Sequence, residues 1–108
     1  MNTTAATLQA LFNRTPRRHS LENVKEINSI LVAYEDSLIA IEAINPFYEK
    51  IINVFFDELE AVKDLIKKST DNKASKKMKD NLFDEGSGNL KDSIQKLLVL
   101  YGDGSRTA

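Results

Sequence analysis

The chain has 108 residues, 15 Lys and Arg against 16 Asp and Glu, and no cysteine. Such a length makes one domain, able to bury roughly two-thirds of its unfolded surface without metal or disulfide staples. The missing cysteines exclude disulfides, thiolate metal sites and cysteine nucleophiles. The near-neutral balance hides segregation: residues 1–20 hold three arginines and no acid, 21–66 ten acids and three bases, 67–79 six lysines and one acid, and 80–108 three bases and five acids.

Thr4 to Asn13 can form a short helix with Leu8, Leu11 and Phe12 on one side, although about ten residues need a surface to lie against. Met1 to Asn13 lacks the basic-then-apolar order of a secretory signal, and no window approaches the roughly 18 apolar residues of a membrane span, so a cytoplasmic or virion-internal protein is expected. Arg14 to His19 is a basic, proline-interrupted linker. The expected layout is an arm over 1–19, a helical bundle domain over 20–101 and a disordered tail over 102–108.

Ser20 is an N-cap candidate for a long helix, with Glu22 suited to the positive end of its dipole. Val24, Ile27, Leu31, Tyr34, Leu38 and Ile41 follow in alternating steps of three and four, the spacing of a helical seam. On a wheel Ile30 and Ile44 widen this stripe, while Leu21, Val32 and Ile39 form a second ridge away from it. A helix this apolar has neighbours on more than one side.

Asn45-Pro46 ends that helix and starts another, as a cap followed by proline at the first helical position. Either a tight hairpin or a kinked continuous helix satisfies the pattern. Asn45-Pro46-Phe47-Tyr48 resembles short peptides read by endocytic adaptor domains, but cap, first helical residue and two ring anchors account for every letter. The second seam is Tyr48, Ile52, Phe55, Leu59, Val62 and Ile66. Phe47, Ile51, Val54, Phe56 and Leu65 widen it, and Asp64 to Lys68 is a favourable i to i+4 pair.

Ser69-Thr70-Asp71-Asn72 breaks the pattern. A weakly periodic helix is expected over 73–85, with Ala74, Met78, Leu82 and Phe83 on its apolar side. Gly86-Ser87-Gly88 is expected to stop it, Asn89 to cap a last short helix carrying Leu90, Ile94, Leu97 and Tyr101, and Gly102 to end that helix in the left-handed conformation. The fold class is therefore all-α, an antiparallel hairpin of two long helices extended to a three- or four-helix bundle.

Little here points to catalysis. His19 is the one histidine and has no convergent ligands, so neither metal nor cofactor is expected. Glu22/Glu26 and Glu60/Asp64 lie one turn apart but fall on solvated faces, and there is no phosphate loop or nucleophile elbow. The chain is read as a non-enzyme. Arg17-Arg18-His19-Ser20 has the form that basophilic kinases read, which makes Ser20 a possible phosphosite, though the N-cap role explains the serine fully.

Two binding readings remain. The two seams, Val24 to Ile41 and Tyr48 to Ile66, are broader than the faces that the shorter, poorer helices after residue 73 offer to cover them. They suggest a helix-on-helix interaction module, a homo-oligomer or an adaptor, chaperone or inhibitor of another protein. The alternative uses Arg14, Arg17, Arg18, Lys67, Lys68, Lys73, Lys76, Lys77 and Lys79 to dock nucleic acid or an anionic surface. A slightly acidic domain without interleaved aromatic rings favours a solvated connector over that alternative.

Overall fold

The computed structural model describes residues 3–44 and 49–107, with side-chain environments over 5–43 and 50–100. Four helices follow one another: α1 Thr3–Arg14, α2 Leu21–Ile44, α3 Glu49–Ser69 and α4 Lys76–Thr107. Among the described residues there is no strand and no residue with positive φ. The all-α bundle read from the seams is the fold.

The ends of the helices are set by local chemistry. Ser20 caps α2: its Oγ accepts the Asn23 N–H at 3.0 Å and its carbonyl accepts the Val24 N–H at 2.8 Å. α1 closes when the buried Thr15 hydroxyl donates back to the Leu11 carbonyl at 2.8 Å. α3 ends likewise, Ser69 Oγ donating to Ile66 O at 2.6 Å and Thr70 Oγ1 to Lys67 O at 2.7 Å. Asp71 Oδ1 then accepts the Lys73 N–H, and Ser75 caps α4 by accepting the Met78 N–H at 3.1 Å. α4 therefore starts three residues later than periodicity suggested.

Asn45 to Tyr48 lie outside the described residues, but the helices that flank them decide between hairpin and kink. Lys63 Nζ donates to Glu35 Oε1 at 2.9 Å. A continuous helix would hold residues 28 apart about 42 Å from each other. So α2 and α3 fold back antiparallel. α3 and α4 are antiparallel too, since Gly86 lies against Ile66 while Lys96 pairs with Glu58 farther along. α1 descends beside α4, Phe12 lying under Lys91 Nζ at 4.3 Å while Arg17 beyond it reaches Asp84. The chain thus runs up and down four times, with α1 as a short fourth member.

The largest helix-to-helix contact is α3 with α4, rather than α2 with α3. This follows from a correction: Gly86-Ser87-Gly88 does not stop a helix, and Asn89 caps nothing. α4 runs unbroken from Lys76 to Thr107, passing Gly102 as well. The glycine has a steric task instead. A Cβ on Gly86 would stand 2.8 Å from Ile66 Cδ1 and 3.3 Å from Leu65 Cβ, so its absence lets α3 come close. Gly86 and Ser87 are buried, and Ser87 Oγ donates back to Asp84 O at 3.3 Å. A glycine inside a helix costs about 1 kcal/mol in propensity, which the close packing of α3 offsets at Gly86.

At about 1.5 Å per residue α4 is about 48 Å long, which matches the 49 Å principal extent; the other two are 23 and 17 Å. The core runs along this axis from Leu8 and Leu11 of α1, through both seams, to Phe83, Leu90, Ile94 and Leu97 of α4. One polar pair sits inside it: the Tyr34 hydroxyl and Ser93 Oγ are 2.7 Å apart, joining α2 to α4. Burial holds the Tyr34 phenol well above its usual pKa, with the Ser93 bond opposing and the nearby Glu58 carboxylate adding to the rise. It stays neutral throughout the ordinary pH range.

Candidate functional site

The two seams proposed as an interface are spent within the chain. Ile27, Leu31, Tyr34, Leu38, Ile41, Ile52, Phe55, Leu59, Val62 and Ile66 are all buried in its core, and Val24 packs half-buried against them. Tyr48 lies outside the described residues. What covers these faces is α4, longer and better packed than expected, together with α1, whose Leu8 and Leu11 are buried.

The basic residues, by contrast, are gathered. Up-and-down topology brings the α1–α2 linker, the end of α3, the 70–75 connector and the start of α4 to one end of the bundle. Residues 14–26 and 64–85 hold ten bases and seven acids, and the rest of the chain five bases and nine acids. The molecule is therefore polarised along its axis, positive at this end by three charges and negative elsewhere by four.

Ion pairs divide those bases into two groups. Arg14 pairs with Glu26 at 2.8 Å, Arg17 with Asp84 at 2.9 Å, Lys68 with Asp64 at 2.9 Å and Lys76 with Asp80 at 3.6 Å. Arg18, Lys25, Lys67, Lys73, Lys77 and Lys79 make no ion pair among the described residues. Five of these six are exposed, and Lys79 is half-buried. They are the side chains an anionic surface would meet.

A groove of about 520 Å³ lies at this end, lined by Arg17, Arg18, His19, Lys76, Asp80, Asn81 and Asp84. Its chemistry is largely self-cancelling, because Asp80 and Asp84 already hold Lys76 and Arg17. His19 is fixed structurally: its ring meets Phe83 edge-on at 5.7 Å between centroids, and Nδ1 stands 3.9 Å from Asp80. Among the described residues no three His, Cys, Asp or Glu side chains converge on a point that could hold a metal ion.

The chain matches no known protein family, curated protein or solved structure.

The remaining polar candidates serve the fold. Ser20 Oγ is engaged as the cap of α2, although the residue is exposed. Glu26 pairs with Arg14, and Glu60 and Asp64 pair with Lys63 and Lys68, so both carboxylates of the Glu60/Asp64 pair are held by bases. Glu35 holds the Lys63 ammonium as a hydrogen-bond acceptor and, with Glu60, raises its pKa. Between α3 and α4 a recess of about 300 Å³ is lined by Glu58, Ala61, Asn89, Asp92, Ser93 and Lys96. There Glu58 pairs with Lys96 through one oxygen, and its Oε1 is enclosed without a hydrogen-bond partner.

Sequence reasoning passed over two residues of the basic end. Leu21 is 84% and Met78 54% exposed, and each lies two residues from the His19–Asp80 contact that ties the linker to α4. The ridge position of Leu21 was a readable signal, whereas Met78 had looked like a core residue of a weak helix. Val32 and Ile39, in line with Leu21 along α2, are also exposed. No helix among the described residues is long and apolar enough to cross a membrane.

Proposed function

We propose that this chain is a non-enzymatic helical binding module, one that closes its own core and docks a larger, anionic partner through its basic end. The observation that carries the proposal is the convergence of Arg18, Lys67, Lys73 and Lys77, exposed and without ion pairs, on one end of a molecule whose remainder is acidic. Unpaired cations keep their full attraction for phosphates or carboxylates, and the acidic remainder orients the approach. Retention on immobilised heparin tests it. The wild-type chain is expected to bind at about 50 mM salt and elute well before 0.5 M, and the Arg18→Glu, Lys67→Glu, Lys73→Glu, Lys77→Glu variant to flow through. Equal retention of both would refute it.

A second reading keeps the helical interaction module and moves its surface. Leu21, Val32 and Ile39 form an exposed row on α2, and a partner helix laid along that row would bury three apolar side chains without opening the core. Crosslinking from a reagent placed at Ser29 or Asp36, next to the row, would reveal such a partner.

A further inference from the structure

The basic end carries more than charge, and its composition narrows the partner. Resting on the docking role proposed above, we infer that this end binds the surface of an anionic lipid bilayer, its free cations at the head groups and the side chains of Leu21 and Met78 in the interface.

Two exposed apolar side chains stand among the cations. Leu21 opens α2 at 84% exposure and Met78 lies in the first turn of α4 at 54%. The His19–Asp80 contact brings the two helix starts together, so both apolar side chains share the end that holds Arg18, Lys67, Lys73 and Lys77. Met78 continues into a shallow recess of about 290 Å³ with Leu82, Lys77 and Asn81. Large unbranched or γ-branched side chains ringed by lysine are what a head-group boundary accepts, because the aliphatic groups leave water while the ammonium groups stay with the phosphates.

Nucleic acid fits the same end less well. Base recognition on single strands uses exposed aromatic rings, and the aromatic residues nearest this end, Phe83 and Phe12, are buried or half-buried. Arginine, the residue suited to phosphate forks, is mostly engaged here, Arg14 and Arg17 being held by Glu26 and Asp84. Glu22, Asp71 and Glu85 also belong to this end. They moderate its charge and make binding depend on anionic lipid and low salt. With no helix among the described residues able to cross a bilayer, the attachment is peripheral.

Vesicle co-sedimentation of the full chain tests this, using vesicles of phosphatidylglycerol with phosphatidylcholine and of phosphatidylcholine alone, with heparin and a single-stranded RNA titrated in parallel. The expected result is partitioning onto the anionic vesicles only, reduced about tenfold or more by about 0.5 M salt or by the four Glu substitutions. The Leu21→Ser, Met78→Ser variant should bind those vesicles about tenfold more weakly while keeping its heparin retention and helical signal. Unchanged vesicle binding by that variant, equal binding to neutral vesicles, or binding to RNA with none to vesicles would each overturn the lipid assignment while leaving the basic end as a docking surface. Binding to none of the four would overturn both.

Discussion

Two glycines two residues apart in α4 should respond to alanine with opposite signs. A glycine inside a helix costs about 1 kcal/mol relative to alanine, and that cost is recovered wherever the new methyl finds room. At Gly88 it does: the added Cβ would meet only the guanidinium end of Arg17, at 3.4 and 3.8 Å. That side chain is half exposed and can shift, so Gly88→Ala is expected to stabilise by about 0.5–1 kcal/mol. At Gly86 the Cβ would fall 2.8 Å from Ile66 Cδ1 and 3.3 Å from Leu65 Cβ. Ile66 is 1% exposed and hemmed in by the core, and Leu65 Cβ moves only with the α3 backbone. Overpacking of this kind costs about 1–3 kcal/mol, so Gly86→Ala should lose about 1 kcal/mol net. The two variants should then differ by about 2 kcal/mol, or roughly 8 °C in midpoint. Urea and thermal unfolding followed by circular dichroism would measure both. If Gly86→Ala proved as stabilising as Gly88→Ala, the close approach of α3 would be wrong. If both were strongly destabilising, the triplet would be the break that its composition suggests and α4 would not be one helix.

Other expectations follow from the same contacts. Tyr34→Phe leaves the buried Ser93 hydroxyl without its partner and should cost about 1 kcal/mol, much of it regained in the Tyr34→Phe, Ser93→Ala double variant, as a double-mutant cycle would show. Lys63 has a raised pKa because Glu35 accepts its hydrogen bond. Its contribution is present in full below the ordinary lysine pKa and fades as pH rises through the elevated folded value. The small stability difference between wild type and Lys63→Met should therefore be flat from pH 6 to 9 and shrink above about pH 10.5. Leu31→Asp places a charge at a site 3% exposed and should cost about 4 kcal/mol or more, unfolding most of the chain. Leu21→Asp, at the open first turn of α2, should leave the unfolding midpoint within about 0.5 kcal/mol of wild type.

Periodicity made the two central helices legible, since a strict alternation of three and four has one physical reading, and ten of the twelve residues so spaced are found in the core, with Val24 packed against it. The N-cap at Ser20 and the Asp64–Lys68 pair were legible for the same reason, being local. Concealed from the sequence was the covering of the seams. Glycine's preference for helix ends is a local tendency, whereas at Gly86, inside α4, Leu65 and Ile66 of α3 stand where a Cβ would lie. Reading that triplet as a stop made the later helices look too short to cover the seams, and the inference of an outside partner followed from that shortfall. The basic end was legible in part. The segments around Arg17 and Lys73 are visible as charge runs, and antiparallel packing brings them together, but which cations are free depends on distant acids such as Glu26 and Asp84. Periodicity also could not show that Met78, spaced like a core residue, sits below the point where the helices converge.

A bundle that fills its own core needs no second copy, and the mass of the protein in solution tests this most directly. Light scattering behind size exclusion, over a wide range of concentration and in low and high salt, should give a mass near 12.2 kDa throughout. A dimer that persists in high salt and dissociates only with unfolding would contradict it, because apolar surface assigned here to the interior would then have to lie between two copies.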